Sequence, residues 1–271
     1  ELTVKGLFLR LKQQPDDRWV LLGLPKQDSV GKDALDVLSG FGELQIANSV
    51  LVIQPKNKQE IRVPQVDLRL RVQGRMMSIG LRAQALKQDT PLLLVANLDR
   101  KAITGKIWIG GSNLHINHWL ALFPSVQVPK IKSESELNIW VDLEQRRVMR
   151  VHSKLLVKEL GLDEPKQHIL DFSKSSIYQR IEAESFWQRS QTGWNWYLPM
   201  IRFVSNTGEE TIRNVRIQST QSNWQATAEQ IPLNPSSRLM LLLKAQWPDL
   251  SAWNQSAKVA GVLSGVRAIG Q

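Results

Sequence analysis

A two-residue alternation of apolar and polar side chains is the feature that most constrains this chain. It is clearest in Gln65–Leu86, "QVDLRLRVQGRMMSIGLRAQAL", where Val66, Leu68, Leu70 and Val72 alternate with polar or charged residues. After a Gly-Arg pair the same alternation resumes. Successive side chains of a β-strand point to opposite faces, so this period indicates strands with one apolar and one polar face. The stretch therefore predicts two successive two-faced strands.

The same pattern recurs along most of the chain. Strand-like alternation runs from Leu44 to Ile109 and again from Leu137 to Ile217, with turn residues between the runs. Helical spacing appears only near Ala34–Phe41, in "NHWLALFP" and in "LNPSSRLMLLLKAQ". We therefore predict a mainly β protein: an elongated, curved antiparallel sheet with a few short helices.

The pattern also predicts three parts along the chain. Residues 1–157 form a first β-rich segment, and residues 158–176 are polar and irregular enough to be a connection. Residues 177–271 form a second β-rich segment that ends in a helix and a final strand.

Composition narrows the classes of function. The chain has no cysteine, which excludes thiolate metal sites, cysteine nucleophiles and disulfides. Its net charge of +10 favours an anionic partner, either nucleic acid or phospholipid head groups, or else a solvated basic surface. Ten Trp against two Tyr suit boundaries between apolar and wet surroundings. Glu1 stands where a Met is expected, so we expect a piece of a longer protein.

Candidate chemical motifs are weak. His115 and His118 are three residues apart with few carboxylates nearby in sequence, so surface or cap roles are favoured over a zinc site. Glu182 and Glu184 share one strand face, where solvation is a better explanation than a glycosidase pair. Gly110-Gly111 fits a turn. We predict no enzyme, no catalytic residue, no cofactor and no metal.

An apolar strand face must either be buried by other parts of the protein or bind a ligand. The sequence leaves three arrangements open. Two sheets can cover each other in a sandwich, a helix can cover part of a face, or the face can stay open to a hydrophobic ligand. The strands far outnumber the helical segments, which leaves room for the third answer.

Several stretches, taken in serial order, carry a resemblance to a known family. The chain resembles the YhdP branch of the AsmA-like proteins, the bridge-type lipid transporters of Gram-negative bacteria. The stretches are "LTVKGLFLRL…DDRWVLLGLP", "LDVLSGFGELQIANSVLVIQPKNKQEIRVPQVDLRLR", "GKIWIGGSNLHINHWL", "SELNIWVDLEQRRV", "FWQRSQTGWNWYLPMIRFV" and "WPDLSAWNQSAKVAGVLSGVRAIGQ". They match the N-terminal part of those proteins in order and spacing.

The resemblance implies a fold and a function. AsmA-like proteins are anchored in the inner membrane, cross the periplasm and form a long taco-like β-groove along which phospholipid acyl chains slide. This chain would be a periplasmic part of such a groove, with phospholipid as its partner and membrane attachment through other parts of the parent protein. It would need no cofactor. Side chains of apolar parity on consecutive strands would line the groove: Leu68, Leu70, Ile79, Leu81, Leu92, Leu94, Ile107, Ile109, Leu137, Ile139 and Val141.

Two other functions compete with this interpretation. The first is a β-rich periplasmic scaffold or interaction module with a closed core. The second is a basic β-domain that binds nucleic acid, although the sequence has no RNP-type or helix-turn-helix pattern and nucleic acid is not expected.

Overall fold

The structure is a computed structural model of the protein. The chain divides into two compact units, Glu1–Met149 and Arg150–Gln271. The structure describes residues 1–15, 19–22, 42–56, 60–86, 89–120, 122, 131–162, 178–206, 208–220, 224–232 and 262–270. The described part is mainly β, and the predicted fold class, an open antiparallel sheet with little helix, is confirmed. The helices predicted near 34–41 and 233–246 lie outside the described residues.

Unit 1 is one sheet with a short helix, and its described strands follow a linear order with no ring closure. The order is β3-β2-β4-β5-β6-β7-β8-β9, with β1 also paired to β4. From β4 to β9, neighbours in sequence pair antiparallel, whereas β1 and β2 both pair parallel to β4. The elements are β1 Leu2–Lys5, β2 Phe8–Gln13, β3 Trp19–Leu22, β4 Glu43–Gln54, β5 Ile61–Gln73, β6 Met76–Gln84, β7 Leu92–Asp99, β8 Thr104–His115, α1 Ile116–Leu120 and β9 Ile131–Glu144.

Unit 2 is an antiparallel meander. The order of its strands in the sheet is their order in the chain. The strands are β10 Arg147–Leu162, which begins at the end of unit 1, β11 Tyr178–Arg189, β12 Gly193–Ser205, β13 Gly208–Thr220, β14 Trp224–Pro232 and β15 Val262–Gly270.

The division into units differs in position from the one read in the sequence. The units divide at Met149/Arg150, inside β10, and β10 continues to Leu162. Residues 158–162, the start of the predicted irregular connection, are therefore strand. Residues 163–177 lie outside the described part.

The core of unit 1 lies on one face of its sheet, at separate places. A first cluster of buried side chains comes from β5, β6 and β7: Val72, Met77, Ala96 and Leu98. A second cluster comes from the other ends of β5 and β6: Val63, Val66 and Ala83, with Trp119 and Leu122 packed against it. A third joins β2 to β4: Leu9, Leu44 and Ile46. Helix α1 and Leu122 therefore cover one end of the face.

A bulge interrupts β4 where β1 and β2 meet it. Asn48 has a φ of 51°, and the pairing of β4 with β5 shifts on both sides of Ser49. Pro64 lies in the interior strand β5 opposite this irregular part, as expected for a residue that cannot donate a ladder hydrogen bond. Ser49 is fully buried, accepts a hydrogen bond from the Leu7 N–H at 3.0 Å and donates to the Ala47 carbonyl at 3.1 Å.

Ser49→Ala is expected to destabilise unit 1 by about 1–3 kcal/mol, because it leaves the Leu7 N–H and the Ala47 carbonyl without this partner away from water. Ser78→Ala is the matched control, since the Ser78 hydroxyl bonds Asn97 on an exposed surface. Chemical denaturation of both variants measures the difference. A Ser49→Ala variant as stable as Ser78→Ala would show that the bulge does not depend on this hydroxyl.

Candidate functional site

Apolar side chains cross unit 1 in rows that run from strand to strand. The register pairs Leu70 with Ile79, Ile79 with Ala96, Ala96 with Ile107 and Ile107 with Val141. Directly opposed residues of neighbouring strands share a face. These five side chains therefore form one row across β5–β9.

A second row runs parallel to the first and is offset from it by two residues on every strand. It consists of Leu68, Leu81, Leu94, Ile109 and Ile139, each opposite the next. Leu92, opposite Ala83, and Leu137, opposite Gly111, extend the same face. We call the two rows with Leu92 and Leu137 the apolar stripe. Every side chain predicted to line a groove lies in the apolar stripe.

The predicted groove residues in the apolar stripe are neither buried nor fully exposed. Each is half-buried, whereas Val72 and Val66 on the same face are 3% and 1% exposed. Four of them pack against the first core cluster: Leu70, Ile79, Leu94 and Ile107. Within the described residues, no second sheet covers the face. The stripe therefore keeps part of its apolar surface in contact with solvent.

The dimensions of the stripe suit an extended hydrocarbon chain. Five strands are separated by four spacings of about 4.8 Å, so each row is about 19 Å long. The hydrocarbon part of one leaflet is about 15 Å thick, half of a bilayer core of about 30 Å. An acyl chain lying across the strands would therefore fit within one row.

The opposite face of the same strands is mixed. Arg69, Arg71, Arg82 and Lys106 are exposed there, and Arg69 Nε lies 3.0 Å from Glu43 Oε1. The same face also exposes three large apolar side chains: Leu93, Val95 and Trp140. The two faces of this part of the sheet thus differ in charge, because the charged side chains lie opposite the stripe.

The turn predicted at Gly110-Gly111 is wrong. Both glycines lie inside β8, opposite Asn138 and Leu137. A Cβ on Gly110 would stand 2.5 Å from Cζ2 of Trp108, so the indole ring lies over this glycine. Trp108 Nε1 donates a hydrogen bond to Asn138 Oδ1 at 3.2 Å. The glycines provide room for side-chain packing on both faces of a continuous strand.

Two histidines and an aspartate converge at one end of β8. His118 Nδ1 lies 2.8 Å from Asp89 Oδ2 and 3.0 Å from Oδ1, and His115 Nδ1 lies 3.8 Å from Oδ1. The Asp89 side chain is 5% exposed, and those of His115 and His118 are 42% and 31% exposed. This is the one group of three potential metal ligands found in the part of the chain that the structure describes.

The sequence interpretation of these histidines missed Asp89. Asp89 lies 26 residues before His115 in the sequence, so the sequence did not indicate that its carboxylate is close to the two histidines. The hairpin register gives the missing signal: Leu93 opposes Gly110 in the β7–β8 pair. Continuing this register brings the residues before β7 beside the end of β8. The sequence interpretation counted few carboxylates near these histidines, and the structure adds Asp89.

Glu182 and Glu184 in unit 2 are held by cationic neighbours. Glu182 contacts Arg180 and Arg202. Glu184 Oε1 lies 2.7 Å from His152 Nε2 and 3.4 Å from Lys154 Nζ. The hydrogen bond from His152, with a further contribution from Lys154, holds the pKa of Glu184 below its ordinary value. Ion pairs on a strand face account for both carboxylates.

None of the described helices is long and apolar enough to cross a membrane. Comparison with known proteins identifies no relative. Comparison of the chain with protein-family models, curated proteins and solved structures finds no match. The resemblance to the AsmA-like proteins therefore stays a prediction from the sequence stretches quoted above.

Proposed function

We propose that unit 1 shields phospholipid acyl chains on its apolar stripe, as a periplasmic part of an AsmA-like protein that moves lipid between the inner and outer membranes. The single observation that carries the proposal is the half-exposure of every predicted groove residue along two continuous rows. The AsmA-like identity, the periplasmic setting and the direction across the envelope belong to the proposal and rest on the sequence resemblance.

The aliphatic side chains of the stripe favour a hydrophobic ligand. These side chains offer dispersion contact and area removed from water but no directed hydrogen bond. A ligand held in this way can slide, because no single position is preferred by a polar contact. Contiguous apolar surfaces that remain exposed on soluble domains commonly mark interaction or ligand sites.

A charge in the stripe is expected to remove the lipid while leaving the fold intact. Ile139→Asp places a carboxylate on a half-exposed position, where it can reach water but repels hydrocarbon. Extraction of the purified protein and mass spectrometry should find phospholipid with the parent chain and several-fold less with Ile139→Asp. Asn138→Asp is the matched control, because it adds the same charge one residue away on the opposite face.

Three results would contradict the proposal. A parent chain that never carries lipid, combined with unfolding of both Ile79→Asp and Ile139→Asp, would favour the closed-core scaffold. Equal loss of lipid in Asn138→Asp and Ile139→Asp would show that the stripe is not the binding surface. Tight binding of a defined oligonucleotide at physiological salt, and not only at low salt, would favour the nucleic-acid function.

A further inference from the structure

The carboxylate of Asp89 is buried, and the described residues use only part of its capacity to accept hydrogen bonds. Its Oδ2 accepts the Leu86 N–H at 3.1 Å, and His118 Nδ1 is shared between both oxygens. An ionised carboxylate can accept about four hydrogen bonds, and a buried charge is costly unless it is paired. His115 Nδ1 is buried, faces Oδ1 from 3.8 Å and has no hydrogen-bond partner among the described residues.

The distances among the three side chains fit a small coordination sphere. Each can offer one ligand atom such that all three lie within 4.8 Å of one another. In a tetrahedral zinc site with bonds of about 2.0–2.1 Å, neighbouring ligand atoms are about 3.4 Å apart. The observed His118–Asp89 and His115–Asp89 separations of 2.8 and 3.8 Å lie on either side of that value. A small rotation of the His115 ring would close the set.

The types of ligand indicate which cations would bind. Imidazole nitrogens suit zinc and neighbouring transition metals, whereas Mg²⁺ and Ca²⁺ prefer sets made of oxygen. The half-exposed imidazoles leave a route for a cation to enter, and the buried carboxylate supplies the compensating charge. Three protein ligands would leave a fourth position for water.

We propose that Asp89, His115 and His118 bind a divalent transition-metal cation, represented by Zn²⁺, and that the cation fastens α1 to the loop between β6 and β7. Asp89 belongs to that loop, His115 ends β8 and His118 lies in α1. The residue next to His118, Trp119, packs against the second core cluster. A bound cation would therefore hold α1 over the end of the apolar face. This inference does not depend on the lipid proposal.

The test is binding of Zn²⁺ to the full chain after removal of metal with a chelator. Calorimetry is expected to show one site in the parent and at least about a 10-fold loss of affinity in His115→Phe, the smallest effect typical of losing even an outer-shell partner of a metal. Phe keeps a ring beside His118, 5.2 Å away in the parent, and removes only the nitrogens. Mg²⁺ at the same concentration is expected not to compete.

His152→Phe is the matched control, because His152 also contacts a carboxylate, that of Glu184, but does not belong to a group of three ligands within the described residues. Its zinc affinity should equal that of the parent. Asp89→Asn should lose affinity while keeping an oxygen that can accept the Leu86 N–H. If Asp89→Asn unfolds, His115→Phe still decides the matter, since Nδ1 of His115 makes no hydrogen bond with the described residues.

Hydrogen exchange locates the effect. Zn²⁺ is expected to slow exchange at Leu114–Leu120 in the parent and not in His115→Phe. The proposal is overturned if the parent takes up no Zn²⁺ after metal removal, if His115→Phe binds as tightly as the parent, or if His152→Phe loses the same affinity. Zinc uptake without slower exchange at Leu114–Leu120 would overturn the fastening of α1 and keep the site.

Discussion

Val66→Asp is expected to unfold unit 1 or to lower its melting temperature sharply, whereas Ile139→Asp is expected to leave it folded. Both positions lie on the apolar face of the sheet, but Val66 is 1% exposed within the second core cluster and Ile139 is half-buried in the stripe. An unpaired carboxylate at Val66 must lose its hydration or stay protonated, at a cost of about 4 kcal/mol. A domain of this size has a total stability of about 5–15 kcal/mol.

The expected difference is large enough to measure directly. For a domain of 150–250 residues, 1 kcal/mol shifts the melting temperature by about 2–4 °C, so Val66→Asp should fall by about 8–16 °C. Thermal unfolding followed by far-ultraviolet circular dichroism measures it, and Asn138→Asp controls for the added charge. Ile79→Asp should fall between the two, because Ile79 packs against the first core cluster. Equal unfolding of Val66→Asp and Ile139→Asp would mean that the stripe is a closed core.

Gly105→Ala is expected to destabilise unit 1 by about 2–5 kcal/mol, by strain and overpacking in β8. Gly105 has a φ of 154°, a conformation that residues with a Cβ rarely adopt. A Cβ there would also stand 2.9 Å from Cα of Leu98 and closer still to the carbonyl oxygen of Asn97, both backbone atoms of β7. Because backbone atoms of a paired strand cannot move aside cheaply, the two strands must separate or shift.

Gly80→Ala provides the control for this prediction. Its added Cβ would meet the Cβ of Arg69 at 3.9 Å, an ordinary contact, and its backbone conformation is compatible with alanine. We expect a change within about 0.5 kcal/mol, since alanine also reduces the freedom of the unfolded chain. Denaturant unfolding of the two variants compares them. A Gly105→Ala variant as stable as Gly80→Ala would show that β7 and β8 are less closely paired than described.

The sequence by itself determined most of the strands and the side of the sheet on which their residues lie, although it predicted a turn at Gly110-Gly111, inside β8. Side chains alternate with a strict period of two, and short turns force strands that follow one another to pair antiparallel. These two rules placed Leu68, Ile79, Leu94, Ile107 and Ile139 on one face, as the register now gives. They also predicted short helical turns after β8, where α1 lies.

Only the tertiary structure decided how much of the apolar face is covered, because exposure depends on which distant segments pack there. Val66 and Leu68 are neighbours of the same parity on β5, yet Val66 is buried and Leu68 is half-exposed. The parallel pairing of β1 and β2 with β4 joins segments separated by about forty residues, and no local pattern encodes it. The meeting of Asp89 with His115 and His118 follows from the β7–β8 register, which the two-residue period alone does not set. Sequence periodicity reports the side of a strand, whereas burial and the convergence of side chains are set by contacts between residues far apart in the chain.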